Sequence, residues 1–366
     1  MSEATVRPAT PADNDPLVAL SVACPMEGEI GLAVDRAPDF FALNRLEGAS
    51  WQVGVVDGPD GSPVGCIAVA QRTVYVNGEP TGAMYVSDLK VHPAHRGAGV
   101  ADLLTGWAGE TGIAAWGEDG LAFLTVLGDN RSMARRMAGP RGLPHLERVA
   151  TYRTHTIPLL WRRAVPQGCT VTAADPSDLE EMAELWAVVA PRRHLAPAHS
   201  VDELGAWIEA APDLEVASYR LARRGGCIVG FLAPWDQSGF KKLRVTGYTR
   251  KLAGVRAGFN AFAPLVRATR LPPPGGALEN VTAVHLCVPP DEPAVLRALV
   301  VDAYNASRGV GSFLNVGLDA ADPLAEALRG LFAQTLDICV CVASLADRPS
   351  RRSFDGRPFH HEIALV

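Results

Sequence analysis

The chain repeats itself, and the repeat limits the folds open to it. Thr5-Val6-x-x-Ala9-x-Pro11-x-Asp13 returns as Thr170-Val171-x-x-Ala174-x-Pro176-x-Asp178, an offset of 165 residues. Val64-Gly65-Cys66-Ile67-Ala68 is echoed at the same offset by Val229-Gly230-Phe231-Leu232-Ala233. Two separated segments in one register mark a duplicated unit. Further on, Val91-His92-Pro93 matches Val288-Pro289-Pro290 at an offset of 197, so the second copy carries 32 extra residues. Phe123-Leu124-x-Val126 then matches Phe313-Leu314-x-Val316 at 190. The repeat predicts two homologous domains, residues 1–165 and 166–366, and a length of 366 residues suits two domains.

A 48% hydrophobic share beside 20% charged residues supplies packed cores and excludes intrinsic disorder. No apolar run approaches the roughly 18 residues of a membrane span. The opening MSEATVRPAT has neither a basic nor an apolar export region, so a cytoplasmic location is expected. The seven scattered cysteines fit reduced thiols better than a disulfide framework. A net charge of -6 argues against a nucleic-acid partner or an anionic-membrane coat. Residues 240–272 carry eight Lys and Arg and no Asp or Glu, and they form the extra segment of the second copy. Such a run reads as a solvated basic surface or as an anion site.

Within each copy the pattern is strand, helix, several strands, helix, strand, helix. In the first copy a strand at 5–9 precedes a helix carrying Leu17, Leu20 and Val22, capped by Asp13 or Thr10. Strands at 51–56, 64–76 and 83–91 are separated by Asp57-Gly58, Asp60-Gly61 and Asn77-Gly78, which are hairpin dipeptides. A helix at 99–116, a strand at 121–127 and a last helix at 130–138 complete the copy. The fold class expected is α/β (α+β): two domains, each a mixed, mostly antiparallel twisted sheet flanked by helices.

The segment from Val86 to Leu104 carries the chemistry. A strand ends at Val91, Pro93 and Gly97 make a turn, and an apolar-periodic helix starts at once. First-turn N–H groups of a helix lack internal partners, and the dipole places about half a positive charge there. Gly97 and Gly99 allow positive φ, so successive amides can cradle a diphosphate.

Arg96-x-x-Gly99-x-Ala101, directly after a strand ending Val91-x-Pro93, resembles the signature of the GNAT acyltransferase superfamily. The likeness spans most of the first copy and, more faintly, the second. It implies that an acyl-CoA, acetyl-CoA or a longer one, places its pyrophosphate on Arg96, Gly97, Ala98, Gly99, Val100 and Ala101. The pantetheine arm would pair with the backbone of Leu89, Lys90 and Val91 where two strands splay apart. Asn130 matches the family's asparagine after the next strand, and its other reading is a helix cap. The family's proton-donating tyrosine falls on Met137, whose thioether cannot donate. Tyr85 and Tyr152 are substitutes to weigh, though each reads first as a core aromatic. Asp88, on the strand beside the acyl group, is expected as the base or as the holder of a water. His92 and His95 read as surface or phosphate contacts, and no metal-ligand spacing occurs.

At the matching loop the second copy reads Val288-Pro-Pro-Asp291-Glu292-Pro293, with no glycine and two acids where phosphate would sit. One CoA per chain is expected. The second copy would then complete the acceptor pocket or a homodimer face. The tail, through Glu362 or the last residue, is an outside candidate for the missing proton-transfer group. The extra segment, with Val255, Phe259, Phe262 and Val266 at helical spacing, is expected to pack over the first copy or within its own domain. Residues 25–48 carry Glu27, Glu29, Asp35, Asp39 and Glu47, an acidic rim that suits a cationic small-molecule or peptidyl amine. The resemblance implies an N-acyltransferase, first of all an N-acetyltransferase. The competing class is a non-enzymatic acyl-CoA-binding module.

Overall fold

The computed structural model describes residues 5–26, 28, 30–128, 146–266, 268–344 and 352–366. The first copy runs β1 (Val6–Pro8), α1 (Asn14–Ala23), β2 (Ile30–Asp35), β3 (Ser50–Asp57), β4 (Pro63–Val76), β5 (Glu79–Val91), α2 (Val100–Trp116), β6 (Leu121–Leu127) and β7 (Leu146–Pro158). The second runs β8 (Thr170–Ala173), α3 (Leu179–Val189), α4 (Val201–Ala210), β9 (Arg220–Arg224), β10 (Cys227–Asp236), β11 (Lys242–Tyr248), α5 (Arg250–Val266), β12 (Ala277–Leu278), β13 (Asn280–Cys287), α6 (Pro293–Ser307), β14 (Phe313–Asp319) and β15 (Gln334–Ser344). Among the described residues no helix is long and apolar enough to cross a membrane.

The repeated residues recur because they do the same local work. Asp13 Oδ2 accepts the Thr10 N–H at 2.7 Å, and Asp178 Oδ2 accepts the Asp175 N–H at 2.9 Å. Each closes a capping box before a proline-started turn that leads into α1 or α3. Asn77 and Gly78, at φ 53° and 88°, turn β4 into β5 as the hairpin dipeptide predicts.

Among the described residues one sheet of twelve strands spans both copies in the order β1-β3-β4-β5-β6-β15-β7-β14-β13-β10-β9-β8. Its parallel pairs are β5 with β6 and β13 with β14, at equivalent places in the two copies. β15 lies between β6 and β7, while β7 runs antiparallel to β14. The copies therefore exchange strands, and residue 165 divides the sequence without dividing the sheet.

Helices α2 and α6 pack on the sheet through matching close approaches. A Cβ on Gly65 would lie 2.6 Å from Val100, and one on Gly230 would lie 2.9 Å from Val295. Leu296, Leu299 and Ala303 of α6 are fully buried. A buried Leu contributes about 1.5–3 kcal/mol. In α1, Leu17 and Leu20 are buried as expected, but Val22 is 37% exposed. Ser21 takes the inner position instead, its hydroxyl donating to the Val34 carbonyl at 2.9 Å.

The extra segment does reach the first copy, though through its strand. β11 pairs antiparallel with β2 from Lys242–Asp35 to Tyr248–Ile30, and β12 completes a second, three-stranded sheet. Helix α5 forms where the spacing places it, but Val255 and Phe262 on the expected packing stripe are 56% and 52% exposed.

Candidate active site

β5 and β6 pair only from Ala83–Leu121 to Val86–Leu124. Beyond that point β5 stays with β4 and β6 stays with β15, so the two strands part, and among the described residues no strand pairs with the β6-facing edge of residues 87–91, where the Val91 carbonyl accepts from Cys24 Sγ and Arg96 Nε, each at 3.4 Å. The register of β4 with β5 shifts between Cys66 and Ala68, and Asp88 in this bulge takes φ 53°. A bulge re-aims side chains, and here it turns Asp88 toward the opening.

The opening continues into a cavity of about 1090 Å³. Its walls include Ser87, Asp88, Leu89, Lys90 and Val91 on β5, and Arg96, Gly97, Gly99, Val100 and Ala101 at the head of α2. Gly97 and Gly99 take φ 84° and 80°, and a Cβ at either would meet no atom within 4 Å. The backbone is thus held left-handed around open space, which is what a cradle for a bulky anion needs. The Val100 and Ala101 N–H groups have no helical partner one turn earlier. The structure brings together all the expected loop and strand residues except Ala98, which is not on the cavity wall. Asn130, Met137, Glu27 and Glu29 lie outside the described residues.

Asp88 is enclosed by cations. Arg36, 4% exposed, and Lys90 both pair with its carboxylate, and the Asn44 amide donates to it at 3.3 Å. Burial pushes the carboxyl up, but Arg36 and Lys90 outweigh it and hold Asp88 well below the usual carboxylate range. A carboxylate so held is a poor proton acceptor, which suits the water-holding role of the two expected of it.

Glu47 behaves oppositely. It is 1% exposed, and the Ser87 hydroxyl donates to its two oxygens at 2.9 and 3.0 Å. Burial, with the Asp88 charge next, pushes its carboxyl up to about 7. The sequence placed Glu47 on an acidic rim, and nothing local in it signals a buried partner on β5, forty positions away. Of the rim's other described acids, Asp35 pairs with Arg244 of β11 at 2.7 Å, and Asp39 pairs with Arg45.

Tyr85 lines the cavity, and its hydroxyl lies 3.3 Å from Thr125 Oγ1. Tyr152 is buried elsewhere, donating to the Gly317 carbonyl at 3.0 Å. Cavity walls also include Leu365 and Val366 of the tail, and Lys241 Nζ donates to the main-chain oxygens of Ala364, at 2.9 Å, and Val366.

In the second copy β13 and β14 likewise part after Thr282–Asn315, and His285 takes φ 48° in its own register shift. The tail fills that gap. Glu362 accepts the His285 N–H at 3.2 Å, and Ile363 packs against Gly317 of β14. At the head of α6, Glu292 pairs with Arg224 at 2.8 Å and Asp291 with Arg192 at 3.0 Å.

No family model and no curated protein matches the sequence. Solved structures do match. A Saccharomyces cerevisiae N-myristoyltransferase with bound myristoyl-CoA aligns with a TM-score of 0.63 at 12% identity, over 94% of this chain and 83% of that one. A GCN5-related N-acetyltransferase from Sphaerobacter thermophilus aligns at 0.57 and 18%, over 95% and 97%. Another from Anabaena variabilis aligns at 0.54 and 12%, over 94% and 73%. The chain has the fold of GNAT-type N-acyltransferases, extended across both copies.

Proposed function

We propose that this protein is an acyl-CoA N-acyltransferase that moves an acyl group, acetyl first of all, from CoA to a primary amine by direct attack. The observation that carries the reading is the β5–β6 splay opening onto a cavity headed by the left-handed Gly97–Gly99 loop. The residues fit the co-substrate. Amides of residues 96–101 face a diphosphate, with Arg96 beside them. The β6-facing edge of Leu89, Lys90 and Val91 offers strand-like hydrogen bonds to the pantetheine amides, with the long contacts of Cys24 and Arg96 to the Val91 carbonyl giving way.

With the thioester in the splay, an unpaired strand amide next to the bulge can stabilise the oxyanion that forms as the amine attacks. The C–N bond forms, the C–S bond breaks and CoA leaves as thiolate. Asp88, fixed by Arg36, Asn44 and Lys90, holds a water or the incoming ammonium on the cavity side. Glu27 and Glu29, the rim acids other than the paired Asp35 and Asp39 and the buried Glu47, would favour a cationic acceptor.

Thiol release from acetyl-CoA and longer acyl-CoAs, measured over a panel of primary amines, tests the proposal. Amine-dependent release with N-acyl product supports it. Tight acyl-CoA binding with no turnover on any amine favours a binding module instead.

A further inference from the structure

The attacking amine's proton needs an acceptor, and besides the chain's last residue, Val366, the cavity wall supplies one. Ser87 lines the cavity one position before the bulge. Its hydroxyl reaches backward to both oxygens of Glu47, at 2.9 and 3.0 Å, and Glu47 is otherwise sealed from solvent, with Asn44 Nδ2 3.3 Å from its Oε2. Burying a carboxylate to this degree is unfavourable unless something compensates, so its position one hydroxyl behind the cavity wall is informative.

Resting on the acyl-transfer reading, we propose that Ser87 and Glu47 form a two-step proton relay that drains the amine nitrogen into the interior. As the amine attacks, its proton passes to Ser87 Oγ while the Ser87 hydroxyl proton passes to a Glu47 oxygen. One proton leaves the nitrogen, one arrives on the carboxylate, and the serine ends as it began. The proton returns to solvent after the products leave. Ser87 touches the substrate; Glu47 acts through it.

The surroundings set Glu47 near neutrality. Burial and Asp88 push its carboxyl up to about 7, while Arg36 and the Ser87 and Asn44 hydrogen bonds oppose them. Arg72 of β4, Tyr85 of β5 and Lys241, just before β11, also lie within electrostatic reach of Glu47. An acceptor matched to the working pH is the efficient choice for proton transfer. Asp88, held ionised by two cations, cannot take this part.

The test uses the full chain and an amine that the wild type acylates. Wild-type kcat/KM should rise with pH through about 7, as Glu47 deprotonates. In Glu47→Gln that limb should move up to the amine's own pKa, with kcat/KM at pH 7 down by about 100-fold or more. Ser87→Ala should show the same loss, Ser87→Thr should recover part of it, and the double variant should be no worse than either single one. Should Glu47→Gln fail to fold, Ser87→Ala with Ser87→Thr carries the test. Acyl-CoA affinity, read by calorimetry, should stay within about twofold in every variant, which separates the relay from the cofactor site. A Glu47→Gln or Ser87→Ala enzyme that keeps both the rate and the limb overturns the relay and leaves the acyl-transfer reading standing. A wild type that acylates no amine overturns both.

Discussion

Asp88 and His285 stand 197 positions apart and occupy the same bulge in the two copies, with φ of 53° and 48°. In the first copy the bulge opens onto the cavity. In the second, the His285 N–H that faces the equivalent gap is taken by Glu362 of the tail. One strand geometry therefore borders an open cavity once and serves as a docking point for the chain itself once.

Removing that dock should cost stability. Glu362→Ala leaves the buried His285 N–H without its acceptor and removes the carboxylate 3.2 Å from His360 Nε2. We expect a loss of about 2 kcal/mol in denaturant unfolding at pH 7. Burial raises the Glu362 carboxyl, but the hydrogen bonds and charge of its histidine neighbours win and hold it below the usual range. A depressed folded pKa means the contribution is present above about pH 4.3 and fades as pH falls below it. The gap between wild type and variant should therefore close in acid.

The two close glycines separate stability from cofactor binding. Gly65→Ala would press on Val100 and Leu104 at the start of α2, at 2.6 and 3.1 Å. It should cost about 1–3 kcal/mol and, by shifting the helix head, weaken acyl-CoA binding about tenfold. Gly230→Ala meets Val288 and Val295, both at 2.9 Å, and should cost similar stability with acyl-CoA affinity unchanged. Unfolding curves and calorimetry on both variants read the contrast.

Asp88→Asn leaves the Arg36 guanidinium, 4% exposed, without its counter-charge. A loss of about 3 kcal/mol is expected. Because the Asp88 charge is one of the two influences that push Glu47 up, the acid limb of kcat/KM should also move to lower pH in this variant. A limb that stays fixed would mean the two carboxylates do not sense each other.

Much of this was legible in the residues. The offsets of 165 and 197 placed the copies and the extra segment. Strand β6 falls at 121–127 as expected, and the loop glycines sit at positive φ. Strand exchange was not legible, because β7 and β15 are β-rich runs whose composition carries no information about partners across nearly two hundred residues. The face of α5 misled for a related reason: apolar spacing fixes the helix, while packing of its neighbours decides what it covers. Glu47 was visible only as one acid among several, since its character comes from Ser87 and Asp88 on a distant strand.

The head of α2 is proposed to hold the CoA diphosphate in the first copy alone. Titration calorimetry with acyl-CoA on the wild type and on Gly99→Glu tests this most directly. We expect one site per chain in the wild type and an affinity loss of at least about 100-fold, some 2.7 kcal/mol, in the variant, which places a carboxylate in the cradle. Two equivalent sites, or a folded Gly99→Glu protein that binds as the wild type does, would contradict it.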